Sequence, residues 1–401
     1  MSAPASLKLL IVSEMSAPYS IGGGETRYAL LTAQLAARGH HVTWLSMHQR
    51  SSPGAEDIAG VRHLHAGPRL AMPPVRSLWQ KLRYMGTVFL HLLRHRYDLV
   101  DCQAYAPLPA AWLACRLRGM PMVASIHDTS APPAAGGGGG GDQWLSATDR
   151  RLATLVEARL YRLGYDRLLT GAQSVRRDFI ERFGVPAARV AVAANGVDVT
   201  GLAQIEADPV ACDLIFVGRH IPHKHVDDFL EAAARITRAR QAQGRPVPTL
   251  KVVGGGPQEP AARARAQALG LAAQLRHWGE IEHHRDVVAH IRSAAILVLP
   301  STREGFGLVL TEALASGTAV VAYDIAAVRE TVGPALREIL VPTGDVQALT
   351  DVITHLLDDP AHRAALVAAG RAHVCAHFDV RDFATRVLAV YTATLDQHRA
   401  H

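Results

Sequence analysis

The chain has 401 residues, of which 49% are hydrophobic and 19% are charged. This composition excludes a largely disordered chain, and the length exceeds what one hydrophobic core usually supports, so two domains are expected. The formal net charge of +6 comes from the first half of the chain, which points either to an anionic partner of that half or to a coding bias towards arginine.

Short β-like runs alternate with helical patterns along the chain, which is typical of βαβ units and parallel sheets. In the first half, strands are predicted at KLLIVS, HVTWLS, DLVDCQ, MVASIH, DRLLTG and VAVAAN. In the second half, they are predicted at DLIFVG, TLKVVGG, AAILVLP and TAVVAY. We therefore expect two Rossmann-like α/β domains, at residues 1–200 and 208–380, and a final helix at 381–401 that crosses back towards the first domain. The polar stretch from Asn195 to Cys212 is interpreted as the linker.

Two glycine-rich segments and one histidine stand out in the first half. Gly22 to Gly24 open a helical pattern, but the dinucleotide signal is weak, because Arg27 stands where a third glycine would be. The six glycines at 136–141 have two interpretations, a spacer in a surface loop or a lid beside a cleft. His127 ends a strand, so we expect it at the carboxyl edge of the sheet, where α/β proteins bind ligands.

Residues 77–96, SLWQKLRYMGTVFLHLLRHR, are predicted to form an amphipathic helix. The predicted apolar face consists of Leu78, Leu82, Met85, Phe89 and Leu92. One interpretation is an ordinary helix that packs on the sheet with a solvated arginine face. The other is a peripheral contact with an anionic membrane, since basic amphipathic helices lie on such surfaces.

Cations and glycines follow two strands of the second half. Arg219 and Lys224 lie in the loop after DLIFVG, and Gly255 lies in the glycine loop after TLKVV. Because the carboxyl ends of parallel strands meet at one edge of a sheet, these loops are expected at the same edge. Two cations there could neutralise a departing diphosphate. A pair of solvated loop residues is the alternative.

The segment STREGFGLVLTEALASG is predicted to form a loop and then a helix that ends at Gly317. The turn and the first helical residue are Gly305, Phe306, Gly307 and Leu308. Their backbone amides would suit a phosphate, whereas Glu304 and Glu312 would accept hydrogen bonds from hydroxyl groups. A phosphate with hydroxyls on both sides describes a nucleotide sugar. The alternative is that Glu304 only favours the helix start and that Glu312 lies on a solvated face.

Other sequence patterns limit the possible cofactors and the cellular location. The cysteines are scattered and no Asp-x-Asp motif is present, so no metal site is expected. No cofactor is expected either, apart from the nucleotide sugar as a substrate. The N-terminal apolar run is too short for a signal peptide, and no stretch approaches the roughly 18 apolar residues of a spanning helix. We expect a cytoplasmic protein, free or peripheral at the inner face of the plasma membrane, with no nucleic-acid partner.

In this order, the motifs resemble those of the retaining glycosyltransferases of family 4, which have the GT-B fold. The matching segments are GGGETRYALLTAQLAARGHHV, ASIHD, SVRRDFIERFG with NGVD, VGRHIPHKHVDDFLEA, VGGGP and EGFGLVLTE. The resemblance covers nearly the whole chain. It implies two Rossmann-like domains whose parallel sheets face each other across a cleft. It also implies transfer of a hexosyl unit from a nucleoside diphosphate sugar to a hydroxyl acceptor, with retained configuration and without a metal.

The resemblance further implies roles for residues of the second domain. The phosphates would lie between Arg219, Lys224 and the amides of Gly305 to Leu308. Glu304 would hold hydroxyls of the transferred sugar, and Glu312 would hold the ribose. The leaving phosphate itself would accept the proton of the acceptor.

The remaining roles concern the first domain and the base. His127 would approach the sugar from the first domain. The base would pack near Gly255 and Ile281. The glycines that would line the cleft near the diphosphate are Gly22, Gly23 and Gly24. The acceptor, a glycan or a lipid-linked hydroxyl, would bind the first domain.

Two places depart from the family pattern. Ala326 and Ala327 stand where glycines are common, and His225 follows Lys224 where glycine is usual. Neither change removes a charge, so activity is still expected. Local loop geometry and donor preference can differ from those of the family.

Other functions compete with this hypothesis. Nucleotide-sugar 2-epimerases and α-glucan phosphorylases share the fold, although phosphorylases have longer chains and a pyridoxal-phosphate lysine that is not evident here. A nicotinamide dehydrogenase is disfavoured by the broken glycine fingerprint. The alternative that is not an enzyme is a nucleotide-sugar-binding protein that has lost its catalytic activity. The presence of both carboxylates and both cations weighs against it: Glu304, Glu312, Arg219 and Lys224.

Overall fold

A computed structural model describes residues 6–20, 22–49, 52–70, 77–103, 105–129 and 156–400. These residues divide into two compact units. The first unit contains the described residues up to Thr129, residues 156–196 and the C-terminal segment from Val380. The second unit is Val197–Asp379. The glycine tract at 136–141, with its two interpretations, lies outside the described residues.

The strands of the first unit form one sheet. They are β1 (Lys8–Val12), β2 (His41–Gln49), β3 (Ala55–Ile58), β4 (Val61–Leu70), β5 (Leu99–Gln103), β6 (Met122–Ser125), β7 (Arg167–Thr170) and β8 (Val190–Val192). Their order is β3-β4-β2-β1-β5-β6-β7-β8, and only the hairpin of β3 and β4 is antiparallel within this sheet. The register pairs Lys8 of β1 with His41 of β2.

The strands of the second unit form a parallel sheet. They are β9 (Cys212–Val217), β10 (Leu250–Val253), β11 (Leu275–Gly279), β12 (Ala294–Leu299), β13 (Ala319–Tyr323) and β14 (Leu340–Val341). Their order is β11-β10-β9-β12-β13-β14. The chain builds outward from β9 on one side and then returns to β12 on the other. The carboxyl ends of β9 and β12 therefore form the switch point, where open α/β sheets bind their ligands.

The α-helices are numbered in chain order. Those of the first half are α1 (Gly23–Ala37), α2 (Leu78–Arg94), α3 (Leu108–Arg118), α4 (Gln173–Glu181) and α5 (Val199–Ala203). Those of the second half are α6 (Val226–Ala242), α7 (Glu259–Ala268), α8 (His284–Arg292), α9 (Leu308–Ser316), α10 (Ala326–Val332), α11 (Val346–Asp358), α12 (Pro360–His377) and α13 (Val380–Arg399). None of the helices in the described ranges combines the length and apolarity needed to cross a bilayer.

The last helix, α13, is part of the core of the first unit. Phe383, Val387 and Tyr391 recur one helical turn apart and are fully buried in the same cluster as Tyr28 of α1. The hydroxyl groups of Tyr28 and Tyr391 both donate to the buried carboxyl group of Asp101 in β5. Each of these apolar side chains contributes about 1.5–3 kcal/mol through burial, so α13 stabilises the unit in which it packs.

The predicted strands are confirmed, but other elements were missed. The hairpin of β3 and β4, the strand β11 and the short β14 were not predicted. The stretch from Asn195 to Cys212, interpreted as a linker, contains α5, and Val197 forms a parallel bridge with Asp379. That stretch is therefore ordered, because its backbone pairs within the second unit.

Helix α2 packs on the sheet with a different face from the predicted one. Its buried residues are Tyr84, Val88 and Leu92, whereas Leu78 and Leu82 of the predicted face are 73% and 47% exposed. The Tyr84 hydroxyl donates to two backbone carbonyls, one just after β1 and one in β2. This tyrosine orients the helix on the sheet, so the predicted apolar face was wrong in its first turns.

Candidate functional site

The loops after β9 and β12 bring Lys224 and Glu304 together. Lys224 Nζ donates to Glu304 Oε1 over 2.5 Å, and the two side chains are 16% and 11% exposed. Their charges compensate each other in a shielded place, where the loss of one partner would leave an uncompensated charge. Two residues that were expected to contact different parts of a ligand thus form one ion pair.

Hydrogen bonds to a backbone carbonyl join the same two loops. The carbonyl oxygen of His223 accepts from the Ser301 hydroxyl over 3.0 Å and from the Thr302 amide over 2.9 Å. His225 adopts a left-handed backbone with φ of +47°. Glycine adopts this geometry without cost, whereas other residues adopt it at a cost. The loop therefore keeps at His225 a conformation that a glycine would favour.

This sheet edge is electropositive. Burial, followed by the charges of Arg303, Lys224 and Arg219, lowers the pKa of His223 to about 3. The imidazole is therefore neutral at physiological pH, and Arg303, Lys224 and Arg219 lie close enough to influence it. Sequence analysis missed Arg303, although it directly precedes Glu304. The arrangement can attract an anion without help from a protonated histidine.

The N-terminus of α9 lies in the turn that was predicted to bind phosphate. Gly307 precedes the helix with φ of +88°, and no side chain of the described residues caps it. Phe306 is buried, its ring packs edge-on against Phe378 at 5.2 Å, and its carbonyl accepts a hydrogen bond from the Thr331 hydroxyl. The helix runs from Leu308 to the residue before Gly317, as predicted. An anchored turn with uncapped amides and a positive dipole end suits an anion.

Close glycine contacts fix the neighbouring loop after β10. A Cβ atom at Gly254 would lie 2.1 Å from the carbonyl oxygen of Gly218, so no larger residue fits there. A Cβ atom at Gly255 would lie 2.8 Å from the Glu280 side chain. Ile281 follows that glutamate and is half-buried. Gly255 therefore lies against the chain segment that contains Ile281. Both residues were predicted to contact the nucleotide base, and that prediction requires them to be close.

Glu312 and His284 form a second pair. His284 Nε2 lies 2.7 Å from Glu312 Oε1, and the glutamate side chain is 8% exposed. Burial opposes protonation of His284, but the charge and hydrogen bond of Glu312 outweigh it, so the pKa of His284 is raised. Sequence analysis missed His284. No signal in the sequence pointed to it, because β11, the strand whose carboxyl end it follows, was not predicted either.

In the first unit, the predicted glycine loop is the start of α1. Gly22 caps the helix in an extended conformation, and Gly23 and Gly24 belong to its first turn. A Cβ atom at Gly24 would lie 2.3 Å from Gln103 Nε2. Gly24 therefore lets α1 approach the carboxyl end of β5, and the three glycines form the start of the helix rather than a separate loop.

His127 lies two residues after β6, as expected, and both of its ring nitrogens are buried although the residue as a whole is partly exposed. Neither ring nitrogen has a hydrogen-bond partner among the described residues, and the ring packs 6.3 Å from that of Tyr28. Burial and then the charge of Arg27 lower the pKa of His127 well below its usual value. Arg27 is itself buried and donates from Nε to Asn195 Oδ1 over 2.7 Å. His127 is therefore a neutral group.

Comparisons with known proteins agree with this architecture. Residues 21–200 match the family Glycosyltransferase Family 4, and residues 205–373 match Glycosyl transferases group 1. The glycogen synthase of Mycobacterium tuberculosis is 28% identical over 411 aligned residues, covering 96% of this chain and 95% of that protein.

Two solved structures show the same fold. Sucrose-phosphate synthase from Thermosynechococcus elongatus superimposes with a TM-score of 0.79 at 22% identity, covering 97% of this chain and 99% of its own. HepE of Anabaena, solved in complex with UDP-glucose, has a TM-score of 0.72 at 19% identity, with coverage of 96% and 100%. The two parallel-sheet units and the two family matches lead to one conclusion: this chain belongs to the GT-B glycosyltransferases of group 1 and family 4.

Proposed function

We propose that this protein is a retaining hexosyltransferase that uses a nucleoside diphosphate sugar and a hydroxyl acceptor in polysaccharide, glycolipid or other cell-envelope glycan synthesis. The observation that carries the proposal is the ion pair of Lys224 and Glu304 beside the uncapped N-terminus of α9. It combines an anion site with a carboxylate that can accept hydroxyl groups. HepE, solved with UDP-glucose, supports this class of donor.

In this proposal, the diphosphate lies between Arg219, Lys224 and the amides of Gly305 to Leu308. The pKa of His223 supports the placement, because the charges of Arg303, Lys224 and Arg219 lower it further after burial has lowered it. Lys224 has three donor hydrogens, so it can contact a phosphate oxygen while it still contacts Glu304. The second oxygen of Glu304 remains for a hydroxyl of the transferred sugar.

The nucleoside would extend along the same edge. Glu312 would accept from the ribose, and the base would pack near Gly255 and Ile281. The contact between Gly255 and the segment before Ile281 supports a shared pocket. His127 stays a predicted contact of the transferred sugar, and Gly22 to Gly24 stay predicted neighbours of the diphosphate.

The chemistry needs little proton transfer by the protein. The bond from the anomeric carbon to the phosphate oxygen breaks, and the acceptor oxygen forms the new bond on the same face of the sugar. The acceptor proton moves to the departing phosphate, whose charge is stabilised by Arg219, Lys224 and the α9 amides. Proton NMR of the product tests retention, because the new linkage must keep the anomeric configuration of the donor.

The decisive experiment is a thermal-shift panel of UDP-, GDP- and ADP-sugars, followed by a transfer assay with the donor that binds. A ligand at 100 times its dissociation constant stabilises the folded state by about 2.7 kcal/mol. Arg219→Ala should abolish the shift, whereas Arg337→Ala, an exposed arginine remote in sequence, should retain it. If no donor shifts the melting temperature, the proposed function is wrong.

The same assay separates the competing functions. An epimerase would convert one nucleotide sugar into another without an acceptor, and a decayed enzyme would bind the donor without turnover. Metal independence is also a prediction. In the part of the chain that the structure describes, no group of three or more His, Cys, Asp or Glu side chains could hold a metal ion. Turnover that stops in EDTA and returns with Mg²⁺ would overturn it.

We also propose that the first turn of α2 contacts an anionic membrane, which would favour a lipid-linked acceptor over a soluble glycan. Leu78 and Trp79 are 73% and 69% exposed, and Lys81 and Arg83 lie beside them in the sequence. Flotation with anionic liposomes should decrease in Trp79→Ser but not in Leu90→Ser, where Leu90 is 49% exposed at the other end of the helix. Equal flotation with neutral and anionic vesicles, or none, would reject the contact.

A further inference from the structure

Glu312 lies on α9 with little access to solvent. Its side chain is 8% exposed, and among the described residues its hydrogen-bond partner is His284. A carboxylate in such a place is costly unless a donor or a cation compensates it. His284 supplies that compensation over 2.7 Å.

His284 reaches Glu312 from a different helix. It is the first residue of α8, whose N-cap His283 makes no side-chain capping bond in the described part of the chain. The ring is fixed at Nε2 by Glu312 Oε1, and the imidazole is one third exposed. The contact therefore joins the starts of two chain segments that leave the same sheet, one after β11 and one after β12.

We propose that His284 is a positioning residue for nucleotide recognition: it holds one oxygen of Glu312 so that the carboxylate faces the two ribose hydroxyls. The inference rests on the proposed function, in which Glu312 binds the ribose. A carboxylate has two oxygens and about four acceptor sites. One hydrogen bond to His284 fixes its plane and leaves acceptor sites on both oxygens for a vicinal diol.

The pairing predicts an effect on binding rather than on the chemical step. Without His284, the carboxylate can rotate, and ordering it on ligand binding costs entropy. The ribose lies far from the bond that breaks, so the loss should appear equally in the ground state and the transition state. KM should rise and kcat should stay near its original value.

The test compares each nucleoside diphosphate, UDP, GDP and ADP, with its 2′,3′-dideoxy counterpart by titration calorimetry. For the diphosphate that binds most tightly, His284→Ala should weaken binding by up to about tenfold, the cost of ordering one side chain. The same substitution should leave binding of the dideoxy nucleotide unchanged, because it has no hydroxyls for Glu312. His284→Gln should restore part of the affinity, since its amide can donate to Glu312.

Two further variants make the result decisive. His283→Ala, the exposed neighbour, should behave as the original protein. Glu312→Gln should weaken the ribonucleotide and spare the dideoxy nucleotide. A His284→Ala variant that weakens both nucleotides equally, or neither, overturns the positioning role. If Glu312→Gln also has no effect, the ribose assignment in the proposed function fails instead.

Discussion

The carboxyl edges of the two sheets hold their polar groups in different ways. In the second unit, Glu304 and Glu312 each contact a cationic or protonatable side chain, Lys224 and His284. In the first unit, both ring nitrogens of His127 are buried without a hydrogen-bond partner among the described residues. Within each unit, the side chain that contacts a polar group decides whether that group can be charged. The Rossmann-like fold alone does not decide it.

The pKa values of two histidines, one in each unit, are shifted in opposite directions. Desolvation favours the neutral form of each histidine. For His127 nothing opposes burial, and Arg27 adds to it, so the pKa is lowered. For His284 the carboxylate of Glu312 outweighs burial, so the pKa is raised. A nearby carboxylate therefore reverses what burial alone would do.

The largest expected effect concerns Lys224 and Glu304. Removing a preorganised group that stabilises the leaving charge costs about 3–4 kcal/mol, or two to three decades in rate. Lys224→Ala should therefore lose about 100- to 1000-fold in kcat/KM. It should also lower the melting temperature, because Glu304 is left as a partly buried, uncompensated charge.

A double-mutant cycle separates these two effects. Lys224→Ala with Glu304→Ala should recover part of the stability that either single variant loses, since no unpaired charge remains. Activity should not recover, because both groups are proposed to contact the donor. Activity that returned in the double variant would mean that the pair is only structural.

The strands of both sheets that are continuously apolar could be predicted from the sequence. The hairpin of β3 and β4 could not, because β4 has His63 and His65 at buried positions, so its alternation appears polar. The strand β11 is only partly buried, which weakens its signal. The first turns of α2 were misassigned because Tyr84, a residue with a polar group, packs inward with Val88 and Leu92.

Candidate site residues of the second unit could be proposed from the sequence, but their pairing with one another could not. Glu304 is 80 positions from Lys224, and Glu312 is 28 positions from His284, so only the strand order brings them together. The sequence indicated that both carboxylates were available to a ligand. The structure adds that each already has a partner in its own unit, which changes what a substitution at either position tests.

A smaller effect is expected from His127. Its folded-state pKa is lowered, so below about pH 6.5 the unfolded chain binds a proton that the folded protein does not. The free energy of unfolding should therefore decrease as the pH is lowered below about 6.5, by at most about 1.4 kcal/mol per pH unit from this group. His127→Gln should remove this part of the dependence, as measured by denaturant unfolding at several pH values. Identical pH dependence in both proteins would contradict a buried, neutral histidine.

The smallest expected effect, of opposite sign, comes from His284. Its folded-state pKa is raised, so the stability it contributes is fully present below about pH 6.5 and is lost as pH rises through the folded value. The contribution should be about 0.5–1 kcal/mol, because the ring is partly exposed and solvent screens the pair. The difference in unfolding free energy between the original protein and His284→Gln should shrink as the solution becomes alkaline. If that difference instead grew with pH, burial would dominate at His284 as it does at His127, and the contrast between the two edges would disappear.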